Sequence, residues 1–521
     1  MTRRIGIDFG TCNIKGAEKK KNDTVAIKIG NSIDKQRVPN VILYKETDDG
    51  YKYIIGYSAL NKPENEQDRI RCIKSSLEKK GWSRELSFGE IKLNASEVTC
   101  DIMSYLYENI HNTDRKSDIS ATITVPVNFS ERQKLIVEQA AAKVGFNVHS
   151  VICEPFAALF YLMEDYIDDN EEHNILIFDF GGGTLDLCLA VICDDKDGRR
   201  KVETQSAVGI TYGGNDINQD ILDDILAVKY PENIKKAFED VKNESEETFN
   251  RYKVLDAIDG LKSSLFEEDN VEESKSDDVI ATLNNRSMIE FKDISVGEIY
   301  KIFEKKGLKE KIYNLLDRLY DDSELIVNET TDVFVIGGSA SIPYFRKVVE
   351  HYFESNGYQG DIDDLFEIND DMDSDERLYS SVAKGAAIYQ ELKSGDSDID
   401  IVIKEKIPFV VYTKNDLGKI QTKITKNDFY KDYFSTYAGL TKHMKEENKI
   451  SVYQTVCGET DKEVYLGDIL LSDDIVENAD LYKLKVDEKR NIEAVFGIIS
   501  PDENDDTIFD KWKSQLVIDT E

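Results

Sequence analysis

Two rhythms of apolar and polar positions run through the chain. In the first, a short apolar run ends in an aspartate and a glycine turn, and this happens twice. Ile5-Gly-Ile-Asp8-Phe9 leads into Gly10, Thr11, Cys12 and Asn13, and 175–178 leads through Asp179 and Phe180 into Gly181, Gly182, Gly183 and Thr184 before an apolar strand resumes after Asp186. Apolar runs on both sides of a glycine turn predict a β-hairpin. Glycines without Cβ let backbone N–H groups converge on phosphate oxygens, and a carboxylate at a strand end can hold a hydrated Mg²⁺. Two hairpins of one type, each with an aspartate before its turn, predict two similar lobes closing on one metal–nucleotide complex.

The second rhythm is helical. Residues 121–125 alternate as a strand and stop at Pro126, after which Ser130 and Gln133 form a capping box. Val137, Ala140, Ala141 and Val144 share one helical face before Gly145 ends it. A second helix starts at Glu154-Pro155 and runs towards Met163; Glu154 at its mouth fits either the helix dipole or a functional role. Gly213 and Gly214 precede a helix bearing Ile217, Ile221 and Ile225 that lasts to Pro231, and 251–266 is a further amphipathic helix followed by an acidic loop over 267–278. At 333–336 a strand meets a turn containing Gly337, Gly338, Ser339 and Ser341, then a helix from Pro343; strand, glycine turn and helix N-terminus make an anion or nucleoside site.

Residues 361–376 form an acidic, solvated loop. Its Asp371-x-Asp373-x-Asp375 lacks the glycine and glutamate of a calcium loop, which are Glu376 and Val382 here. After a helix over 381–392, residues 394–398 break the pattern and 399–403 form a short strand in a linker. From 407 the style changes to short strands, 408–413, 450–456, 463–466, 481–486 and 492–499, which predict a small antiparallel sandwich. Residues 508–518 have helical character.

Composition narrows the chemistry. A chain of 521 residues, 40% hydrophobic and 10% aromatic, can bury several cores. The net charge of −36 is spread evenly, with no cluster of Lys and Arg, so nucleic acid and anionic membranes are poor partners. Met1-Thr-Arg-Arg runs straight into the first strand without a signal peptide, and no run reaches the ~18 apolar residues of a membrane span, so a cytoplasmic protein is expected. The seven cysteines contain no CxxC pair and fit small core residues in a reducing compartment. By periodicity alone Lys74, in Arg71-Cys-Ile-Lys74, is a solvated surface charge.

Taken together, these segments resemble the heat shock protein 70 (DnaK-type) chaperone family. IGIDFGTCN is similar to its first phosphate motif, TVPVNF to the interlobe strand and proline, ICEPFAAL to the connecting helix, IFDFGGGTLD to the second phosphate motif and FVIGGSASIP to the adenosine-side motif. The resemblance implies an α/β actin-like two-lobed ATPase domain with duplicated ribonuclease-H-like lobes over 1–392, a linker over 393–403, a β-sandwich substrate domain over 404–500 and a short acidic tail over 501–521 in place of the helical lid. It further implies slow ATP hydrolysis to ADP and phosphate, with Asp8 and Asp179 holding Mg²⁺ through waters. Gly10, Thr11, Cys12, Gly181, Gly182, Gly183, Thr184, Gly213 and Gly214 would lie against the nucleotide phosphates. Lys74 would hold the γ-phosphate and the attacking water, overturning its surface reading, with Glu154 beside it. Asp259, Lys262, Gly337, Gly338 and Ser339 would face the nucleoside, and Pro126 and Lys134 would relay the nucleotide state to the β-domain. Implied partners are unfolded polypeptides, J-domain proteins and nucleotide-exchange factors, with neither nucleic acid nor membrane.

Several positions depart from the family pattern. Cys12 replaces a threonine, Ser263 and Ser341 replace two arginines, and Phe266 replaces a serine. Loss of a guanidinium stack weakens adenine binding by ~1 kcal/mol or more, unless Phe266 stacks in its place. Two further functions compete with an ATP-driven chaperone: a nucleotide-dependent switch or adaptor for one dedicated partner, and a small-molecule kinase of the same superfamily.

Overall fold

In the computed structural model the chain is described for residues 2–21, 23–30, 37–62, 66–111, 117–166, 171–267, 271–370, 372, 374–394, 401–407, 409–425, 433–456, 462–487, 491–498 and 508–518. Two sheets that share a three-stranded meander and a parallel neighbour form its frame. In the first, Arg3–Phe9, Asn13–Lys20 and Asp23–Ala26 make an antiparallel meander, and Ile119–Val125 and then Asn147–Cys153 add in parallel beside Arg3–Phe9. In the second, His173–Phe180, Leu185–Asp194 and Arg200–Ile210 repeat the meander, with Asp332–Ile336 parallel beside His173–Phe180. Every residue of Ile119–Val125 is buried, as a parallel strand covered by helices on both faces requires.

Each sheet carries its own apolar core, one around Ile5, Ile7 and Ile123 and one around Phe178, Leu187 and Phe345. Between them the helices Glu154–Tyr166 and Ser374–Ser394 cross and bury Phe156, Phe160 and Tyr389 in a third core. Two glycines let Ser374–Ser394 approach its neighbours closely, Gly6 on the strand Arg3–Phe9 and Gly385 at the helix crossing. A Cβ on Gly6 would run into the Ala383 carbonyl, and one on Gly385 into the Ala157 carbonyl.

The expected helix after Pro126 forms as Glu131–Val144. Ser130 and Gln133 close a reciprocal capping box, and Gly145 ends the helix at φ 116°. Other boundaries shift. The helix placed at 251–266 begins at Glu244, because the Asn243 side chain caps the Glu246 N–H. The acidic segment after it becomes strand at Ser276–Thr282. The 361–376 segment contains the turns Asp364–Phe366 and Glu367–Asp370, with Leu365 and Phe366 fully buried, so two apolar side chains anchor what its charge suggested was a solvated loop. Asp371 and Asp373 of the calcium-like run lie outside the described residues, as do 395–400 of the linker. Its strand is Ile401–Lys404, and this pairs in parallel with Arg200–Ile210 as the edge of the second sheet.

The C-terminal strands are antiparallel in the order 420–424, 410–414, 449–456, 462–470, 508–518, 492–498, 481–486, 433–434, around a core of Ile407, Val411, Val452, Tyr482 and Phe496. The helix expected at 508–518 is a strand, Ile508–Ile518, pairing with Ile492–Ile498 on one side and Lys462–Leu470 on the other. Burial along it has period two. Trp512, Ser514, Leu516 and Ile518 are half-buried, and Lys513, Gln515 and Val517 are exposed. Trp512 and Leu516 fit a helical face equally well, and the open edges of two neighbouring strands decide for the sheet.

Candidate active site

Both hairpins deliver their aspartates to the floor of the cleft between the lobes. Asp8 and Asp179 stand at the ends of their strands, each about 95% buried at 5% and 6% exposure. The turns that follow interlock. The Gly181 N–H bonds to the Thr184 carbonyl at 3.0 Å, Gly214 N–H to the Gly181 carbonyl at 3.0 Å, and Asn215 N–H to the Gly182 carbonyl at 2.9 Å. A Cβ on Gly183 would lie 2.7 Å from Thr11 Oγ1, one on Gly182 would strike Cys12 Sγ, and one on Gly213 would strike the Gly183 amide. Three loops from both lobes thus meet at backbone contact, which bulkier residues would prevent. Gly10 belongs to the same corner, where its carbonyl accepts from Asn40 Nδ2 at 2.9 Å.

Lys74 is buried and ion-paired with Glu154 at the start of its helix, and its ammonium sits 5.6 Å from the Phe129 ring. The surface reading of Lys74 fails because the backbone before it turns back through Cys72 at φ 52°. Two charged residues absent from the sequence-based site join this group. Lys15 Nζ donates to Asp8 Oδ2 at 2.9 Å. Asp186 is fully buried; its Oδ1 accepts from the Val127 N–H at 2.9 Å, and Oδ2 has no hydrogen bond of standard geometry. Both were within reach of the sequence, because each lies directly across its hairpin from the first aspartate, Asp8 opposite Lys15 and Asp179 opposite Asp186.

The electrostatics follow from this crowding. Four carboxylates, Asp8, Glu154, Asp179 and Asp186, face two ammonium groups, Lys15 and Lys74. Burial, then Glu154, Asp186 and Asp8, push the Asp179 carboxyl well above its ordinary range. Burial and Glu154 bring Asp186 up to about 7, against help from Thr184, the Val127 amide and Lys74. Glu154 is raised by burial despite Lys74. Burial opposes the charge of Lys15, but Asp8, and then Asp179 and Glu154, outweigh it and raise its pKa. A pocket with surplus negative charge and an unpartnered carboxylate oxygen fits a divalent cation. Among the described residues no group of three His, Cys, Asp or Glu side chains is placed to ligate a metal ion directly.

The residues expected to face the nucleoside lie in the second lobe. Ser339 Oγ donates to the Gly181 carbonyl at 2.9 Å, and Lys262 Nζ reaches the Gly214 carbonyl at 3.2 Å and Asp259 at 3.1 Å. Gly337 has φ 86°, and a Cβ there would lie 2.7 Å from Asp179 Oδ1. Gly338 lies against Tyr379, whose ring carries the Arg37 guanidinium 4.6 Å from its centroid. The Ser263 and Ser341 hydroxyls turn back onto their own backbone, to Asp259 O and Gly338 O. Phe266 does not take their place. It is core, stacked on Tyr300 with centroids 6.1 Å apart.

From Pro126 a continuous set of bonds leads to the β-domain. Val127 holds Asp186, Ser130 caps the next helix, and the Glu131 N–H donates to buried Gln454 Oε1 at 3.0 Å. Lys134 pairs with Glu131 at 2.9 Å and lies 5.3 Å from the Phe409 ring centroid. On the opposite lobe, Lys406 bonds Thr204 Oγ1 at 2.7 Å through its N–H and Gln205 Oε1 at 2.9 Å through Nζ. Nothing in the local pattern of the sequence marks Gln454 or Phe409.

Two duplicated α/β lobes that bring paired aspartates and glycine turns to one cleft, with a β-sandwich docked beside them, define an actin-like ATPase coupled to a second domain. A family profile described as Hsp70 protein matches residues 45–504, and the chain belongs to that family. Members of this family are ATPases that bind ATP and ADP with Mg²⁺, act as chaperones on unfolded polypeptides and work with J-domain proteins and exchange factors. The match begins beyond the first hairpin; Asp8 and Thr11 enter the site because the first turn packs against the second, with Thr11 against Gly183. No helix among the described residues is long and apolar enough to cross a membrane.

Proposed function

We propose that this chain is an ATP-driven chaperone that hydrolyses ATP slowly and couples its nucleotide state to polypeptide binding by the β-domain. In this reading 1–392 is the ATPase domain, 393–403 the linker and 404–500 the substrate domain, to which Ile508–Ile518 adds a strand. Asp8 and Asp179 hold a hydrated Mg²⁺, which neutralises charge developing on the transferred phosphoryl group. Thr11, Gly182, Gly183 and Thr184 grip the phosphates, with the backbone of Gly10, Cys12, Gly181, Gly213 and Gly214 around them. Asp259, Lys262, Gly337, Gly338 and Ser339 hold the nucleoside. Lys74 positions the γ-phosphate and the attacking water, and Glu154 keeps the ammonium of Lys74 aimed into the cleft. Phosphoryl transfer needs positioned charge and an oriented water more than covalent help, and these residues supply both.

The observation that carries the coupling is the bonded path from Asp186, two residues beyond Thr184, through Val127 and the Ser130 cap to Glu131 and Gln454. A shift in the phosphate loop changes Asp186, and Asp186 holds the backbone that carries Pro126 and Lys134. The test is release of a fluorescent unfolded peptide. Mg²⁺-ATP accelerates release from the wild type and does nothing for Lys74→Ala. If wild type, Lys74→Ala and Thr184→Ala release ADP equally fast, the assignment of the site is wrong. If ATP is hydrolysed while peptide affinity stays constant, the coupling is wrong. The described cysteines are all free, which agrees with a cytoplasmic protein.

One observation favours a second reading, a nucleotide-dependent adaptor for a single partner. With the Ser263 and Ser341 hydroxyls turned inward, adenine loses two cationic neighbours, which suits a switch more than a fast cycle. Capture of one stoichiometric partner, with no protection of unfolded clients, would select it.

A further inference from the structure

Two cysteines meet at the phosphate turn. Cys12 lies in the first turn, with its Sγ where a Cβ on Gly182 would fall, and Cys72 ends the segment that delivers Lys74. They come from positions 60 residues apart in sequence, yet Asn40 joins their backbones: its N–H donates to the Cys12 carbonyl at 2.8 Å and its carbonyl accepts from the Cys72 N–H at 3.1 Å. A residue of the other lobe spans both: Cys12 Sγ donates to Asn215 Oδ1 at 3.2 Å, and Asn215 Nδ2 donates to Cys72 Sγ at 3.6 Å. Cys72 holds φ 52°, a left-handed conformation rare for a side-chain-bearing residue. Both residues are half-buried, so a small oxidant can reach them.

We propose that Cys12 and Cys72 form a dithiol modification site, which a peroxide oxidises to an intramolecular disulfide across the phosphate turn.

The two sulfurs have distinct roles. The neighbouring Cys12 thiol, the Arg71 charge and the Asn215 amide favour the thiolate of Cys72 over the cost of its burial, and the Cys72 sulfur together with burial keeps Cys12 protonated. The Cys72 thiolate attacks one peroxide oxygen, the O–O bond breaks, and a sulfenic acid and hydroxide form. Cys12 then gives up its proton and attacks the Cys72 sulfur; the S–S bond forms and the sulfenic oxygen leaves as water. The two thiols together lose two electrons, which reduce one peroxide to two waters. The closed disulfide ties the Thr11 turn to the segment carrying Lys74, so phosphate grip and Lys74 placement are restrained together. Burial raises the thiols of Cys100 and Cys188, which leaves them slower competitors.

The test uses the full chain treated with stoichiometric hydrogen peroxide, alkylated and mapped without reduction. The expected product is a peptide pair joined through Cys12 and Cys72, formed about tenfold faster than oxidation at Cys100 or Cys188. Cys12→Ser is expected to stop at a Cys72 sulfenic acid trapped by a dione reagent. Absence of the joined pair in the wild type, or equal oxidation of the other cysteines, overturns the proposal. A second readout is the ratio of ADP release before and after peroxide. It falls in the wild type, recovers with dithiothreitol and stays near one in Cys72→Ser; a ratio near one in the wild type despite complete crosslinking overturns the link to phosphate handling. The link rests on the ATP reading above, but the peptide map does not. If the reduced chain releases no ADP, that reading has failed and the map alone judges the dithiol.

Discussion

The two hairpins share a register and differ in one charge. Opposite Asp8 stands Lys15, and opposite Asp179 stands Asp186. In the first lobe the aspartate is held by a buried ion pair at 2.9 Å within its own hairpin. In the second it faces a like charge, and both carboxyls are pushed up. Duplication therefore supplies the scaffold twice, while the cross-strand partner divides the labour. One hairpin is internally balanced; the other carries surplus negative charge, and the carboxylate that adds to it also accepts from the Val127 N–H.

The sharpest way to break this comparison is to neutralise each aspartate. Asp8→Asn and Asp179→Asn are both expected to cut ADP release by about 10²-fold or more, since each removes a charge from the proposed metal site. Their effects on metal-free stability should have opposite signs. Asp8→Asn leaves Lys15 without its hydrogen-bonded partner and costs about 2–4 kcal/mol, whereas Asp179→Asn relieves repulsion and gains on the order of 1 kcal/mol. Urea denaturation in chelator measures both. Destabilisation of equal size in the two variants would show the hairpins to be equivalent.

The next test is pH. The folded value of Asp186, about 7, lies above its ordinary 3.8. Between these values the folded state keeps a proton that the unfolded state has lost, so stability contributed at low pH is lost as pH rises through about 7. In chelator, the wild type should therefore lose stability relative to Asp186→Asn between about pH 4 and pH 7, and Mg²⁺-ADP should narrow the gap. Parallel denaturation curves at all pH values would argue against a crowded second hairpin.

A smaller effect is expected where the second hairpin hands on its state. Lys134→Ala removes the contact with Phe409 and the pair with Glu131, so the factor by which ATP accelerates peptide release should fall about fivefold. An unchanged factor would mean that the path through Val127 and Glu131 carries nothing. The smallest effect is at the adenine. Ser263→Arg restores a guanidinium and should tighten ATP by about fivefold, or ~1 kcal/mol, by calorimetry.

Local chemistry made much of the fold legible. The hairpin turns at Gly10 and Gly181–Gly183, the capping box of Ser130 and Gln133, the stop at Gly145 and the helix start at Pro155 all follow from residues that contact near neighbours in the chain. The site was legible to the extent that it repeats: Asp8 and Asp179 are visible because the same run occurs twice. Lys15 and Asp186 were equally available by counting across each hairpin, but their importance depends on burial, which periodicity does not report. Ile508–Ile518 was misjudged because Trp512 and Leu516 suit a helix or a strand, and only the open edges of its neighbours choose.

By itself, then, the sequence determined the two phosphate-type turns, the doubled lobe and the family, since these rest on local conformational preference and short-range pattern. Tertiary structure decided which charges share one low-dielectric cleft, that Lys74 is buried against Glu154, that Gln454 meets the helix after Pro126, and that Cys12 and Cys72 share Asn215. Those contacts join residues far apart in the chain. Their energies depend on desolvation and on distances of a few ångströms, which exist only once both lobes and the sandwich have packed.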